Sequence, residues 1–350
     1  MTNQLQAPEA STIVESDTKP VRRLIAAIGT LTPGLAVAAS ATTMVLALSH
    51  LVPTVSPLLI AILLGAILSN VARLPAQVGP GLTFAGKKML RVGVALLGLQ
   101  LVFGDILGLG VGMIAVVIAI VVLGIFGTMF AGHLLGLTWT QRLLVACGFS
   151  ICGAAAVAAA DGVVDAKEEE VLTAVALVVI FGTCMIPLIP LLSNAIGLGE
   201  LDAGLWAGGS IHEVAQVVAT GGAIGGGALA AAVVVKLARV VMLAPVMAVV
   251  SARQRRLRQT SDVRRPPLVP LFVFGFLACA ALRTSGVMPD GFLSSAKLAQ
   301  TALLTAAMFA LGAGVNFASL RKVGIRPFLL ALISTAWVTG LALTGVLLFG

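Results

Sequence analysis

The chain has 350 residues, of which 59% are hydrophobic and only 10% charged, with a mean hydropathy of +1.09 and a formal net charge of +8. Soluble domains carry about 25% charged residues to cover their surface, so this composition excludes an ordinary water-soluble protein and predicts an all-α polytopic membrane protein. The positive balance does not point to nucleic acid, because the basic residues cluster in short segments between apolar runs.

Residues 1–22 are polar, with Glu9, Glu15 and Asp17, and read as a disordered cytoplasmic tail without a cleavable leader. Residues 23–350 read as one transmembrane transporter domain. At about 20 residues per crossing, eleven spans are expected, approximately 33–52, 54–70, 86–104, 107–131, 141–160, 171–194, 203–222, 228–250, 267–284, 292–319 and 327–349. With the N-terminus inside, one set of loops collects seventeen of the 22 basic residues, including the run RQRRLRQTSDVRR. The opposite loops collect Asp105, Asp161, Asp165, Glu168, Glu169, Glu170 and Asp290. This asymmetry predicts a cytoplasmic N-terminus and an outer C-terminus. The four cysteines, Cys147, Cys152, Cys184 and Cys279, fall within spans and form neither a disulfide framework nor a metal pair.

Eleven spans divide into one leading helix and two five-helix units, about 54–194 and 203–350, that would enter the membrane from opposite sides as inverted repeats. In that plan spans five and ten correspond. Both carry glycines near mid-span, in CGFSICGAA (Cys147 to Ala155) and ALGAGVN (Ala310 to Asn316). Two broken helices crossing near Gly148–Gly153 and Gly312–Gly314 are the expectation, with Ser150 and Asn316 placed to cap half-helices. Two internal matches fall outside this register: PLLIAILLGAIL at Pro57 with PLFVFGFLACAA at Pro270, and GFSICGAAAVAAA with GGSIHEVAQVVAT.

Span seven holds His212, Glu213 and Gln216, which at i, i+3 and i+4 spacing share one side of a helix. Span eight holds Lys236 and Arg239. A charge at that depth costs about 2.5–3.5 kcal/mol on insertion scales, so such residues need partners or a function. The short GGAIGGG connection makes the two spans neighbours, which lets Glu213 approach one cation and leaves the other for an anion that Arg grips bidentately. His212 with Glu213 suits a proton relay. A structural ion pair holding two helices in register is the alternative.

The segments SICGAAAVAAA (Ser150 to Ala160), DAKEEE, WAGGSIHEVAQVVA (Trp206 to Ala219), VVKLARVVMLAP (Val234 to Pro245) and ALGAGVNFASLRKVG (Ala310 to Gly324) resemble the YeiH family of bacterial inner-membrane proteins, commonly described as sulfate exporters. The resemblance runs from about residue 55 to the end. It implies a fold similar to the sodium/proton antiporter and bile-acid symporter group, and export of sulfate or a related sulfur oxyanion or sulfonate by alternating access. The candidate substrate-binding residues are then Ser150, Cys152, Gly153, Ser210, His212, Arg239 and Asn316, with Glu213, Gln216 and Lys236 as ion-pair or relay residues.

HEVAQ begins like a zinc-protease HExxH, but Gln216 replaces the second histidine, and no GxSxG elbow or P-loop occurs. No enzyme, metal or cofactor is therefore expected. The expected partners are a small anion, the bilayer and, as the one assembly to test, a homodimer. A cation/proton antiporter is the alternative function. It would favour acidic residues at mid-membrane in spans five and ten, which have none.

Overall fold

The computed structural model describes residues 18–51, 57–72, 74–164, 166–257, 270–314 and 324–350, which form helices joined by short turns, with no strand among them. The helices are α1 (Thr18–Leu51), α2 (Pro57–Val71), α3 (Gly79–Phe84), α4 (Leu90–Leu97), α5 (Phe103–Gly108), α6 (Gly110–Leu134), α7 (Trp139–Cys147), α8 (Ala154–Val164), α9 (Glu168–Ala195), α10 (Glu200–Ser210), α11 (Val214–Ile224), α12 (Gly226–Val241), α13 (Leu243–Leu257), α14 (Leu271–Thr284), α15 (Asp290–Ala313) and α16 (Ile325–Phe349). Six described stretches are long and apolar enough to cross a bilayer: Gly29–Ser49, Gly110–Leu134, Glu168–Ala195, Gly226–Arg256, Asp290–Ala313 and Ile325–Phe349. The chain is a multi-pass α-helical membrane protein, and every expected apolar segment is helical over most of its length.

Two of those segments do not cross. In the fifth, α7 passes through a π-helical turn at Gly148–Cys152 and reverses at Gly153, whose φ of 76° and ψ of −138° only glycine adopts without strain. The 11-residue α8 that follows is about 16 Å long, half of the ~30 Å hydrocarbon thickness. It packs back along α7, with Val157 beside Gly148. The two feet of this hairpin are tied together, because the Thr138 and Thr140 hydroxyls at its entry donate to the Glu170 carboxylate just after its exit, at 2.5 and 2.6 Å. The chain therefore enters and leaves on one side of the membrane.

The seventh segment repeats the pattern. Gly204 and Gly208 of α10 lie on Ala228 and Ala232 of α12, so those helices run in the same direction, whereas Gly221 of α11 lies on Leu229 and α11 runs back. The Glu200 carboxylate at the entry accepts from the backbone N–H groups of Gly227 and Ala228 at the exit, at 2.8 and 3.3 Å. Since α9 crosses once between the two hairpins, they enter from opposite faces and their tips meet inside the protein.

Two expectations are corrected. The break at Gly148–Gly153 is present, but the segment that meets it is the span-seven break at Ile211–Glu213, not span ten. Span ten is helical from Asp290 to Ala313 and its helix ends at Gly314, inside the expected break, with Gly312 packed close against the Ile62 backbone; the rest of that span lies outside the described residues. Asn316 lies outside the described residues. The acidic stretch before α9 shares the membrane face of Thr138 instead of lying opposite it, because hairpin one turns back. In packing, α1 to α4 gather with α14 and α15, while α6 and α16 flank the hairpins, α9 and α12.

Candidate functional site

The hairpin tips and α12 together bring eight of the ten expected site residues, Ser150, Cys152, Gly153, Ser210, His212, Glu213, Lys236 and Arg239, into one cluster. Backbone interrupted inside a bilayer must find its hydrogen bonds within the protein, and Lys236 and Arg239 of α12 supply them. The Arg239 guanidinium donates from Nε to the Ser150 carbonyl (3.1 Å), from Nη2 to Phe149 (2.9 Å), and from Nη1 to Gly208, Gly209 and Ile211 (2.7–3.2 Å). Lys236 Nζ donates to the Ile151, Ile211 and His212 carbonyls. These are the carbonyl ends of two half-helices, where a cation is favoured by the helix dipole.

That arrangement changes the expected roles. Arg239 and Lys236 have 0% exposure and no ion pair joins either to Glu213 among the described residues, so Arg239 does not present a free guanidinium to a ligand. Glu213 instead accepts from the Ala154 N–H at 2.6 Å and caps its own helix with Gln216 in a reciprocal box, its carboxylate lying at the start of both α8 and α11. The break also separates residues assigned to one helix side. His212 turns toward α16, with Nε2 3.1 Å from the Thr335 hydroxyl, Nδ1 3.3 Å from the Phe149 carbonyl and its ring 4.3 Å from the Phe149 ring. Gln216 reaches the Val179 carbonyl of α9 at 3.4 Å. The Ser150 and Ser210 hydroxyls are buried without hydrogen-bond partners among the described residues.

Beside the tips lies a cavity of about 300 Å³ between α8 and α11 on one side and α2, α4 and α15 on the other. Among the described residues, Cys152 and Glu213 are the expected site residues that reach it. Its floor is apolar, with Leu90, Val94, Leu304 and Met308, and its rim carries Gln100, Lys297, Gln300 and Thr301. The Gln100 and Gln300 side chains hydrogen-bond to each other across the rim. Sequence reasoning missed this rim. The signal available was a polar stripe, Lys297, Gln300 and Thr301, spaced three and four residues apart on an otherwise apolar span. It missed Thr335 as well, which nothing in its apolar surroundings singled out.

The family described as "Conserved hypothetical protein 698" matches residues 33–331. A UPF0324 membrane protein of Corynebacterium glutamicum is 58% identical over 318 residues, covering 91% of this chain and 92% of that one. The UPF0324 membrane protein TauZ of Paracoccus pantotrophus is 36% identical over 298 residues, covering 84% and 88%. The UPF0324 inner membrane protein YeiH of Escherichia coli is 36% identical over 289 residues, covering 81% and 83%.

Proposed function

The chain belongs to the UPF0324 membrane-protein family that includes YeiH, and from that premise we propose that it is an inner-membrane secondary transporter of small anions. Sulfate or a related sulfur oxyanion or sulfonate is the proposed substrate, moved by alternating access through the cavity at the hairpin tips. Paired half-length hairpins meeting at a cavity support the transporter reading, since non-helical backbone at membrane depth is tolerated where it lines such a space.

The charge balance of the tips carries the choice of anion. Four half-helix ends converge, two carbonyl ends and two N–H ends, each worth about half an elementary charge of alternating sign, so they cancel. What remains is Lys236 and Arg239 against the single carboxylate of Glu213, a formal excess of +1. An anion in the cavity offsets that excess without displacing Glu213, and the first-turn N–H groups of α8 and α11, near the cavity-lining Ala155, Val214 and Ala215, favour it further.

Export follows from the membrane potential. One charge crossing 100 mV is worth about 2.3 kcal/mol, so a departing dianion gains about twice that without a coupling ion. Proteoliposomes loaded in turn with sulfate, sulfite, thiosulfate and an alkylsulfonate test the reading. Exchange of at least one against its labelled form is expected, and no exchange of any of them overturns the anion assignment. A cation/proton antiporter is the second reading, favoured by Glu213 being the one acidic residue on the cavity wall among the described residues. Sodium-dependent proton movement in the same vesicles without anion exchange would establish it instead.

A further inference from the structure

We infer that the protein has a second anion vestibule on the opposite membrane face, lined by Lys87 and Arg91, which is shut here and opens when the observed cavity closes. This rests on the transporter reading above and gives it an inward-facing counterpart. The argument begins with spacing. The arms α8 and α11 start sixty residues apart, at 154 and 214, and end sixty apart, at 164 and 224. The long helices behind them, α9 and α12 with α13, keep nearly the same offset. GFSICGAAAVAAA (148–160) and GGSIHEVAQVVAT (208–220) share it with Gly, Ser, Ile, Ala, Val and Ala at matching positions.

A second offset of 214 links α2 (from 57) to α14 (from 271), the stretch 76–100 to α15 (from 290), and α6 to α16 within a residue. Packing follows it. Gly98 lies against the Phe276 carbonyl, and 214 residues on, Gly312 lies against the Ile62 carbonyl, with 62 and 276 again 214 apart. The cavity floor follows it too, since Leu90 and Val94 face Leu304 and Met308. Five elements are thus matched to five with opposite membrane orientation. The second set begins with its hairpin, whereas the first ends with its hairpin and following helix.

Inverted repeats exchange conformations, so the lining of the open cavity has an equivalent set on the other face. The rim residues Lys297, Gln300 and Thr301 correspond to Thr83, Gly86 and Lys87. Leu58 of the open cavity corresponds to Phe272, and Phe272 carries the Arg91 guanidinium 5.9 Å above its ring. Arg91 also reaches Gly162 at the end of α8, the hairpin arm equivalent to α11, and its Nε is buried without a partner among the described residues. Arg91 therefore plugs the place where the equivalent vestibule would open. Lys87 and Lys88 are exposed beside it.

The two rims differ in chemistry. The open one offers one ammonium and two amides, whereas the shut one offers one ammonium and a guanidinium fork suited to a multiply charged oxyanion. Anions are captured on the Arg91 face, which the charge asymmetry of the loops makes cytoplasmic, and released past Lys297.

Cysteines at Ala158 and Val218, equivalent positions sixty residues apart, test the vestibule in proteoliposomes of the full chain of known orientation, with an impermeant maleimide and site-resolved mass spectrometry. Val218→Cys should label from the Lys297 face and Ala158→Cys from the Arg91 face. Ala158→Cys that labels from neither face, or only from the Lys297 face, overturns the inference. In a sulfate-flux arm, Arg91→Gln should raise the half-saturating sulfate concentration tenfold or more from its own face and by less than twofold from the other. An equal change on both faces removes the role given to Arg91. Should Arg91→Gln fail to fold, Lys87→Gln at an exposed position carries the same comparison. Labelling as expected in a protein that moves no sulfate would uphold the vestibule and sink the sulfate reading alone.

Discussion

Arg239 shows how far one side chain can be from the role its chemistry suggests. An arginine beside a candidate anion site reads as a grip, yet its guanidinium is spent on carbonyls of both hairpin tips. Arg239→Ala would orphan three of these carbonyls, since Ile211 is also held by Lys236 and Phe149 also lies within hydrogen-bond reach of His212 Nδ1. At about 1–3 kcal/mol for each buried unsatisfied group, that loss rivals the 5–15 kcal/mol that holds a typical protein folded. Arg239→Ala is expected to give no monodisperse peak in detergent size-exclusion chromatography; a well-folded Arg239→Ala would refute the stapling role. Arg239→Lys should rescue little, because a point-charge ammonium cannot span two tips as a planar fork does. Glu213→Gln differs, since its amide oxygen still accepts from Ala154. It raises the local excess from +1 to +2, so sulfate-dependent thermal stabilisation should increase while turnover falls. An unchanged response to sulfate would separate Glu213 from the anion altogether.

At the scale of elements, the hairpins depend on a glycine at one tip and a glutamate at each foot. Gly153→Ala places a methyl group into the Glu213 carboxylate at a left-handed φ, where the backbone alone costs roughly 1–2 kcal/mol. A fall in melting temperature of several degrees is expected, and a neutral result would contradict the close approach of the tips. Glu170→Ala removes the acceptor of two threonine hydroxyls at the foot of hairpin one. Protease sensitivity near Thr138 should rise several-fold while hairpin two keeps its protection. The first break was legible because glycines at 148 and 153 announce it. The second was not, because Ile211–Glu213 contains neither proline nor glycine, and His212, Glu213 and Gln216 fit a helical face as well as a capped start. Their spacing held the answer, since Glu213 and Gln216 form the N-cap and N3 pair of a capping box. Gly312 does double service, lying on the Ile62 backbone in a close helix crossing in the last turn before α15 ends at Gly314.

For the whole molecule, the apolar segments were legible in number and place because lipid imposes length and hydropathy on every crossing. Their path was less so, as a half-length hairpin and a full crossing have similar total length and composition. Two errors of direction cancelled: each hairpin removes one crossing, so the expected side of every later loop is unchanged. Only the acidic stretch before α9 and the turn after it exchange faces. A cysteine replacing Ala166 is therefore expected to be labelled from the same side as the N-terminal tail, and a C-terminal reporter from the opposite side. Labelling of Ala166→Cys from the C-terminal side would mean that segment five crosses after all.

The stapling of both hairpins by α12 also imposes an order on biosynthesis. Hairpin one leaves the ribosome about 90 residues before Arg239, so at 5–20 residues per second its carbonyls at Phe149 and Ser150 wait roughly 5–20 s for their donors. During that interval its interrupted backbone has no stable place in lipid. The nascent hairpin must be sheltered by the insertion machinery or sit at the water interface, and it settles only when α12 arrives. A chain released before residue 236 should be cleared by membrane proteases, whereas one ending soon after α13 should persist.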